Sequence, residues 1–223
     1  MTHPVKRTYN STLRDEQARA TRRAIVQAAV ELFVERGYGA TTIDAIAAKA
    51  GVGRKTVFTS VGSKAQALKL GIDWAIVGDD EPVPLADRPE TRAAMAEPDA
   101  RRILTSFART LLSISSRIAP LVTAAEAVTG ADPEIKELTD DIRRQRRTGM
   151  GAIAAALADR GALRPDMTVD EAADVMTVLV DPNTYMRLVV ERHWDLDRAE
   201  RWLSDALVRM LLADQVDVAD ATA

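Results

Sequence analysis

Apolar residues recur along this 223-residue chain at helical rather than strand intervals. Ile25, Ala28, Ala29, Leu32 and Phe33 stand at i, i+3, i+4, i+7 and i+8, one face of a helix predicted over 15–36 and stopped by Gly37. Residues 1–14 show no such period and are expected to form a flexible arm carrying Lys6, Arg7 and Arg14. Thr41 and Thr42 offer hydroxyl caps to a short helix with Ile43, Ile46 and Ala47 on one side, ended by Gly51. A third short helix is predicted over 54–60. Ser63-Lys64-Ala65-Gln66 has the form of a capping box, in which Ser and Gln reciprocally satisfy free backbone N–H groups. It should start a fourth helix through Leu68, Ile72 and Trp74 to about residue 78.

Residues 79–99 hold four prolines and several acids and are expected to be irregular, with Met95 on a short helix. Helical period resumes at Ile103, Leu104, Phe107 and Leu111 and runs to Pro120, which should bend or restart the helix. Asp132-Pro133 is a cap followed by proline at the first helical position, starting a long helix to Arg160 that Gly161 stops. Thr168-Val169-Asp170-Glu171 is a second capping box, and Asp181-Pro182 repeats the cap-then-proline signal. Asp195 should open the last helix, to about Ala213, before a frayed acidic tail from Asp214. The expectation is an all-α protein of ten or eleven helices.

Composition narrows the function. With no cysteine, disulfides, thiolate metal sites and cysteine nucleophiles are excluded, and no cofactor or metal is expected. The polar N-terminus, MTHPVKRTYNSTLRDEQ, has no signal-peptide core, and no run approaches the roughly 20 apolar residues of a membrane span. A cytoplasmic protein with no membrane partner is expected. Net charge is −3, yet residues 1–70 hold 12 Lys/Arg against 5 Asp/Glu, a net of +7. Residues 71–223 hold 18 against 28, a net of −10. A basic N-terminal third on an acidic body points to a polyanion met by one part only.

Within that basic third, residues 50–64 read AGVGRKTVFTSVGSK. A phosphate-binding loop needs G-x-x-x-x-G-K-[ST] after a strand; with Lys55-Thr56 as its last pair, the glycines fall on Arg54 and Lys49. The dinucleotide pattern G-x-G-x-x-G fails at Thr56. A helix-turn-helix fits instead. Ala47 is small where two helices must cross closely, and Gly51, four positions on, suits a turn with positive φ. Ile46, Ala50, Val52, Val57 and Val61 are placed to plug the core. Arg54, Lys55, Thr59 and Ser60 then point outward, with Thr56 near the boundary, as donors for phosphates and base edges in a major groove about 12 Å wide.

Residues from about 19 to 74 closely resemble the N-terminal domain of TetR-type transcriptional regulators. The resemblance is carried by R23-A-I-V-Q-A-A-V-E-L-F-V-E-R-G-Y38, T41-T-I-D-A-I-A-A-K-A-G-V52, T56-V-F and S63-K64. It implies a three-helix DNA-binding head over 15–62, with its motif at about 41–60, and an effector-binding and dimerisation body over 63–214. It also implies a homodimer on a palindromic double-stranded DNA operator. Positions matching Arg54, Lys55, Thr56, Phe58, Thr59 and Ser60 lie on or beside the family's recognition helix, and Thr41 and Gly53, just before the two helices of the motif, are expected among the DNA-binding residues with them. Thr42 and Lys64 resemble phosphate contacts at helix N-termini. Gly53 stands where the family usually has Ser, Phe58 where it has Tyr, and Ser60-Val61 where it has His-Phe.

The rest of the sequence offers little chemistry of its own. His3 and His193 are the only histidines, so no catalytic Ser/His/Asp set is visible, and an enzyme is not expected. Asp140-Asp141 lacks the third acid of a D-D-x-x-D magnesium motif, Arg144 standing in its place. The arginines of R143-R-Q-R-R147 are read as surface ion pairs or a subunit interface. Met95, Phe107, Leu111, Met150, Met176 and Tyr185 are the candidate lining of an effector pocket, and their apolar character favours a hydrophobic small molecule. The leading reading is a repressor released from its operator by such an effector. The alternative is a DNA-binding helical dimer whose body is a protein-interaction module.

Overall fold

The computed structural model describes residues 6–213, with side chains from Leu13 onward. His3 and the acidic tail lie outside that span. Among the described residues ten α-helices follow one another: α1 (Lys6–Arg36), α2 (Ile43–Ala50), α3 (Arg54–Val61), α4 (Lys64–Val77), α5 (Pro89–Ala96), α6 (Ala100–Glu126), α7 (Pro133–Asp159), α8 (Val169–Leu179), α9 (Pro182–Tyr185) and α10 (Leu196–Leu211). A 3-10 turn at Leu85–Asp87 precedes α5, and a wider π-type turn, Met186–Glu191, continues α9. Among the described residues there is no strand, only an isolated antiparallel bridge between Leu163 and Leu212. The all-α expectation holds.

The local signals act where they were read. Ser63 and Gln66 complete one capping box and Thr168 and Glu171 the other. The carboxylates of Asp132, Asp181 and Asp195 accept the first free N–H groups of α7, α9 and α10. Three expectations need correction. Helix α1 starts at Lys6 rather than Asp15, because once a helix is nucleated each further turn costs little and residues 6–14 hold no glycine or proline to stop it. Helix α6 runs through Pro120 as one element instead of restarting there. The segment after Tyr185 widens into a π turn, a geometry that apolar period does not reveal.

By packing, the residues to Glu81 group with Pro120–Thr139, and Pro82–Ala119 groups with the residues from Asp140. This grouping differs from the functional division expected at 62/63, since α4 and the α6–α7 corner belong with the helix-turn-helix. In the first unit, the head, Ile25, Phe33, Ile46, Val57, Leu68 and Ile72 are buried together. Gly71 lets α4 approach α1 closely, because a Cβ there would stand 2.5 Å from Val30 Cγ2. After α4, Asp80 is held by α1: Arg19 and Arg23 each donate two hydrogen bonds to its carboxylate at 2.6–2.8 Å. Those two guanidiniums hold the Asp80 carboxyl well below the usual carboxylate range.

The second unit, the body, is built on Leu104, Ala108, Ala154, Leu157, Ala172, Ala173, Met176, Leu207 and Leu211. Each large side chain buried there contributes about 1.5–3 kcal/mol from removing apolar surface from water. After the π turn, His193 takes a positive φ of 55° and the Trp194 N–H donates to the Leu188 carbonyl. The Trp194 ring meets the Trp202 ring edge-on at 6.1 Å, and the Arg198 guanidinium lies 4.0 Å above Trp194.

Candidate nucleic-acid interface

The α2–α3 corner is set by two short helices and the turn between them. Thr42 caps α2, its hydroxyl accepting the Ala45 N–H at 3.1 Å. Gly51 ends α2 at φ 68° and ψ 30°, the left-handed region that a side chain enters only at a cost. The N–H groups of Gly51 and Val52 then donate to the Ala48 and Ala47 carbonyls, which closes the last turn. Gly53 caps α3 with no side-chain hydrogen bond. Val57 and Val61 on α3 and Ile46 and Ala47 on α2 are buried, while Ala50 and Val52 are half-buried.

That packing turns one face of α3 to solvent. Arg54, Lys55, Phe58 and Thr59 are exposed, and Thr56 and Ser60 are half-buried at its margin. The Thr59 hydroxyl folds back on the Lys55 and Thr56 carbonyls. Arg54 Nη1 donates to Asp44 Oδ2 on α2 at 2.8 Å, and its guanidinium carbon lies 5.6 Å from the Phe58 ring centre. Asp44 escaped the sequence reading. It stands ten positions from Arg54 on another helix, so no spacing rule joins the pair.

Two positions expected among the DNA-facing residues are placed differently. Thr41 is 1% exposed, and its hydroxyl is shared between the Gly37 and Leu32 carbonyls at the end of α1. It locks the α1–α2 corner and presents no side chain outward. Lys64 turns its ammonium to the Tyr38 and Thr41 carbonyls at 2.9 and 3.0 Å, over the Tyr38 ring. Burial lowers the pKa of this ammonium, with Asp132 pushing the other way. Two of its three donors therefore serve the fold of the head. The Tyr38 hydroxyl, buried and near Asp132 and Glu134, is pushed well above its ordinary pKa and stays protonated. The Ser63 hydroxyl, which caps α4, also donates to Glu134 at 2.8 Å.

A short three-helix head with a small residue and a left-handed glycine at its corner is a recurrent DNA-binding geometry. Residues 25–69 match the model of the bacterial regulatory proteins of the tetR family. It is the head that resembles the tetR family. Solved structures extend the likeness over both units of the chain. A TetR-family transcriptional regulator from Syntrophomonas wolfei superposes with a TM-score of 0.67 at 17% identity, covering 85% of this chain and 93% of that one. NalD, the secondary repressor of the MexAB-OprM multidrug efflux pump in Pseudomonas aeruginosa, gives 0.66 at 23%, covering 89% and 99%. A transcriptional regulator from Saccharomonospora viridis in complex with choline gives 0.64 at 20%, covering 86% and 98%. At these identities the likeness is one of fold. Among curated proteins, no sequence matches the chain.

In the body, α6, α8, α9 and α10 line a narrow apolar cleft. Leu111, Leu112, Leu179, Tyr185, Leu188 and Trp202 form most of its wall, with Asp181 at its edge. It encloses about 310 Å³ of empty space counting its open mouth, and the closed part is no larger than a water molecule needs. Of the candidate effector residues, Leu111 and Tyr185 meet at this cleft. Met95 and Phe107 pack, half-buried, against the body core, and Met150 and Met176 lie inside it. Trp202 and Leu188 had no signal beyond ordinary helical period. Among the described residues no acids or histidines gather as a metal site, and no helix is long and apolar enough to cross a membrane.

Proposed function

We propose that this TetR-family protein is a dimeric, sequence-specific repressor that a small apolar or amphiphilic molecule releases from a palindromic operator. The observation that carries the DNA-binding part is the outward face of α3, where Arg54, Lys55, Phe58 and Thr59 stand exposed within residues 1–70, a stretch of net charge +7. With α3 in a major groove, Lys55 meets a phosphate and Arg54 a base edge. Thr42 and the first N–H groups of α2 meet the backbone, where the helix dipole favours an anion. Lys64 has a third ammonium donor for a neighbouring phosphate.

The dimer is assigned to α8 and α10, which carry exposed Val178, Trp202 and Met210. A pairing through these helices would cover those side chains, and a two-fold pair of heads matches a two-fold operator. The small-molecule part is supported by the cleft and by two neighbours of similar fold, one named as a repressor of a multidrug efflux pump and one seen with choline. Release requires the effector to bind a DNA-incompetent conformation more tightly than the competent one. The narrowness of the cleft favours a second reading, a body that only dimerises.

Selection of bound sequences from a random DNA pool tests the first part, and an inverted repeat with half-sites about one helical turn apart is the expected product. Recovery of no sequence would end the DNA-binding reading. Thermal denaturation with choline and with a panel of amphiphilic cations and fatty acids separates the two readings of the body. A rise in Tm that Leu111→Trp abolishes supports an effector. No rise with any compound supports the dimerising module.

A further inference from the structure

Asp44, Arg54 and Phe58 form an exposed cluster at the α2–α3 corner. Arg54 and Asp44 side chains are 59% and 67% exposed, and an ion pair so open to water stabilises a fold very little. What the pair does supply is geometry. Arg54 opens α3, and Asp44 on α2 takes one of its five N–H donors at 2.8 Å. Phe58, one turn further along α3 and 46% exposed, lies under the same guanidinium. A long side chain that would otherwise sample many rotamers is thus biased toward one arrangement by two contacts. With the side chain 59% exposed, the other N–H donors of its planar fork stay open to a partner. That fork matches guanine, whose O6 and N7 are adjacent acceptors in the major groove. Asp44 also places a negative charge beside the expected DNA surface, where it weakens attraction to any phosphate backbone.

Resting on the DNA-binding reading above, we propose that Asp44, Arg54 and Phe58 act as one base-reading unit for a guanine in each half-site. Arg54 is the reader. Asp44 is a positioning residue that holds the fork in register and penalises binding elsewhere, and Phe58 supports the guanidinium from below and offers its ring edge to a thymine methyl on a neighbouring base pair. The device sharpens discrimination rather than total affinity, because the restraint favours one base edge while the carboxylate disfavours every backbone.

The experiment is pool selection and competition binding with the full chain, wild type and variants, after circular dichroism confirms that each variant melts like wild type. The wild type is expected to select a guanine at one position per half-site, and replacing it with 7-deazaguanine, which lacks N7, should weaken binding roughly ten-fold. Asp44→Asn should lose most of the preference for guanine at that position while binding mixed competitor DNA more tightly. Arg54→Lys should lose the same preference, and Asp44→Asn added to it should change that preference no further. A guanine preference that survives Asp44→Asn, or that Asp44→Asn and Arg54→Lys lower independently, overturns the unit while leaving DNA binding intact. A wild type that recovers no site overturns the DNA-binding reading and this inference together.

Discussion

Two basic stretches look alike in the sequence and differ in what the fold does with them. On α7, Arg143 and Arg144 pair with Asp140 and Asp141 on their own helix, Arg146 reaches Asp181, and Arg147 is shared by Asp170 and Asp174 on α8. Each of those guanidiniums meets a carboxylate. On α3, Arg54 meets one exposed carboxylate, and Lys55 carries no ion pair among the described residues. Four arginines in five positions therefore present less free charge than one Arg-Lys dipeptide. Cation count along a chain measures charge; availability to a polyanion depends on which acids the fold has already brought alongside.

The contrast can be broken most directly by charge removal on each side. Lys55→Ala should cut operator affinity by about 1–3 kcal/mol and lower the salt slope by about 0.9 if Lys55 meets a phosphate, read from binding isotherms at several salt concentrations. Arg144→Ala should leave both unchanged. Equal losses from the two variants would erase the distinction.

On α7 the arginines should matter to folding instead. Arg146 is only 17% exposed beside Asp181, so Arg146→Ala strands a partly buried carboxylate that also caps α9. About 2 kcal/mol of stability should be lost in urea denaturation, below the cost of breaking a fully buried pair. Exposed Arg143→Ala should cost a few tenths.

The Arg19–Asp80–Arg23 cluster gives the contrast a pH dependence. Its carboxyl is depressed below its ordinary 3.8, so it stabilises the head above that value and the contribution disappears as pH falls through the lowered one. Asp80→Asn should be less stable than wild type at pH 7, by less than the Arg146 variant because both guanidiniums are half in water. The two denaturation curves should converge in strong acid. A constant gap down to pH 2 would show that the carboxylate charge is not what the arginines hold.

The smallest effect concerns the cap of α3. A Cβ at Gly53 would come no nearer than 3.9 Å to Thr56 Oγ1, so Gly53→Ser fits and should gain a few tenths of a kcal/mol by capping a free N–H. A loss of stability would mean that this corner is more tightly constrained than its backbone suggests.

Most of the architecture was legible before the fold was seen, and for a local reason. Capping boxes at Ser63 and Thr168, the cap aspartates at 132, 181 and 195, and the turn glycine at 51 act on backbone groups within four residues of themselves. The core face of α3 was legible too, because Val57 and Val61 sit one helical turn apart. The first nine residues of α1 were missed because a helix extended from its neighbour needs no apolar face of its own. Thr41 and Lys64 were assigned outward roles from position alone, and the carbonyls that hold them come from residues up to 26 positions away. The cleft was read only in part, since Leu111 and Tyr185 looked no different from Met150 and Met176 until packing separated them.

The sequence by itself determined where most helices of this protein are capped, which faces they bury, and that the corner between α2 and α3 is a turn rather than a phosphate loop. Those outcomes follow from caps, period and a left-handed glycine, all short-range. Only the tertiary structure decided which charges remain available, because most of the partners that claim them lie far off along the chain. Arg54 finds Asp44 across 10 positions, Arg147 finds Asp174 across 27, Arg146 finds Asp181 across 35 and Arg19 finds Asp80 across 61.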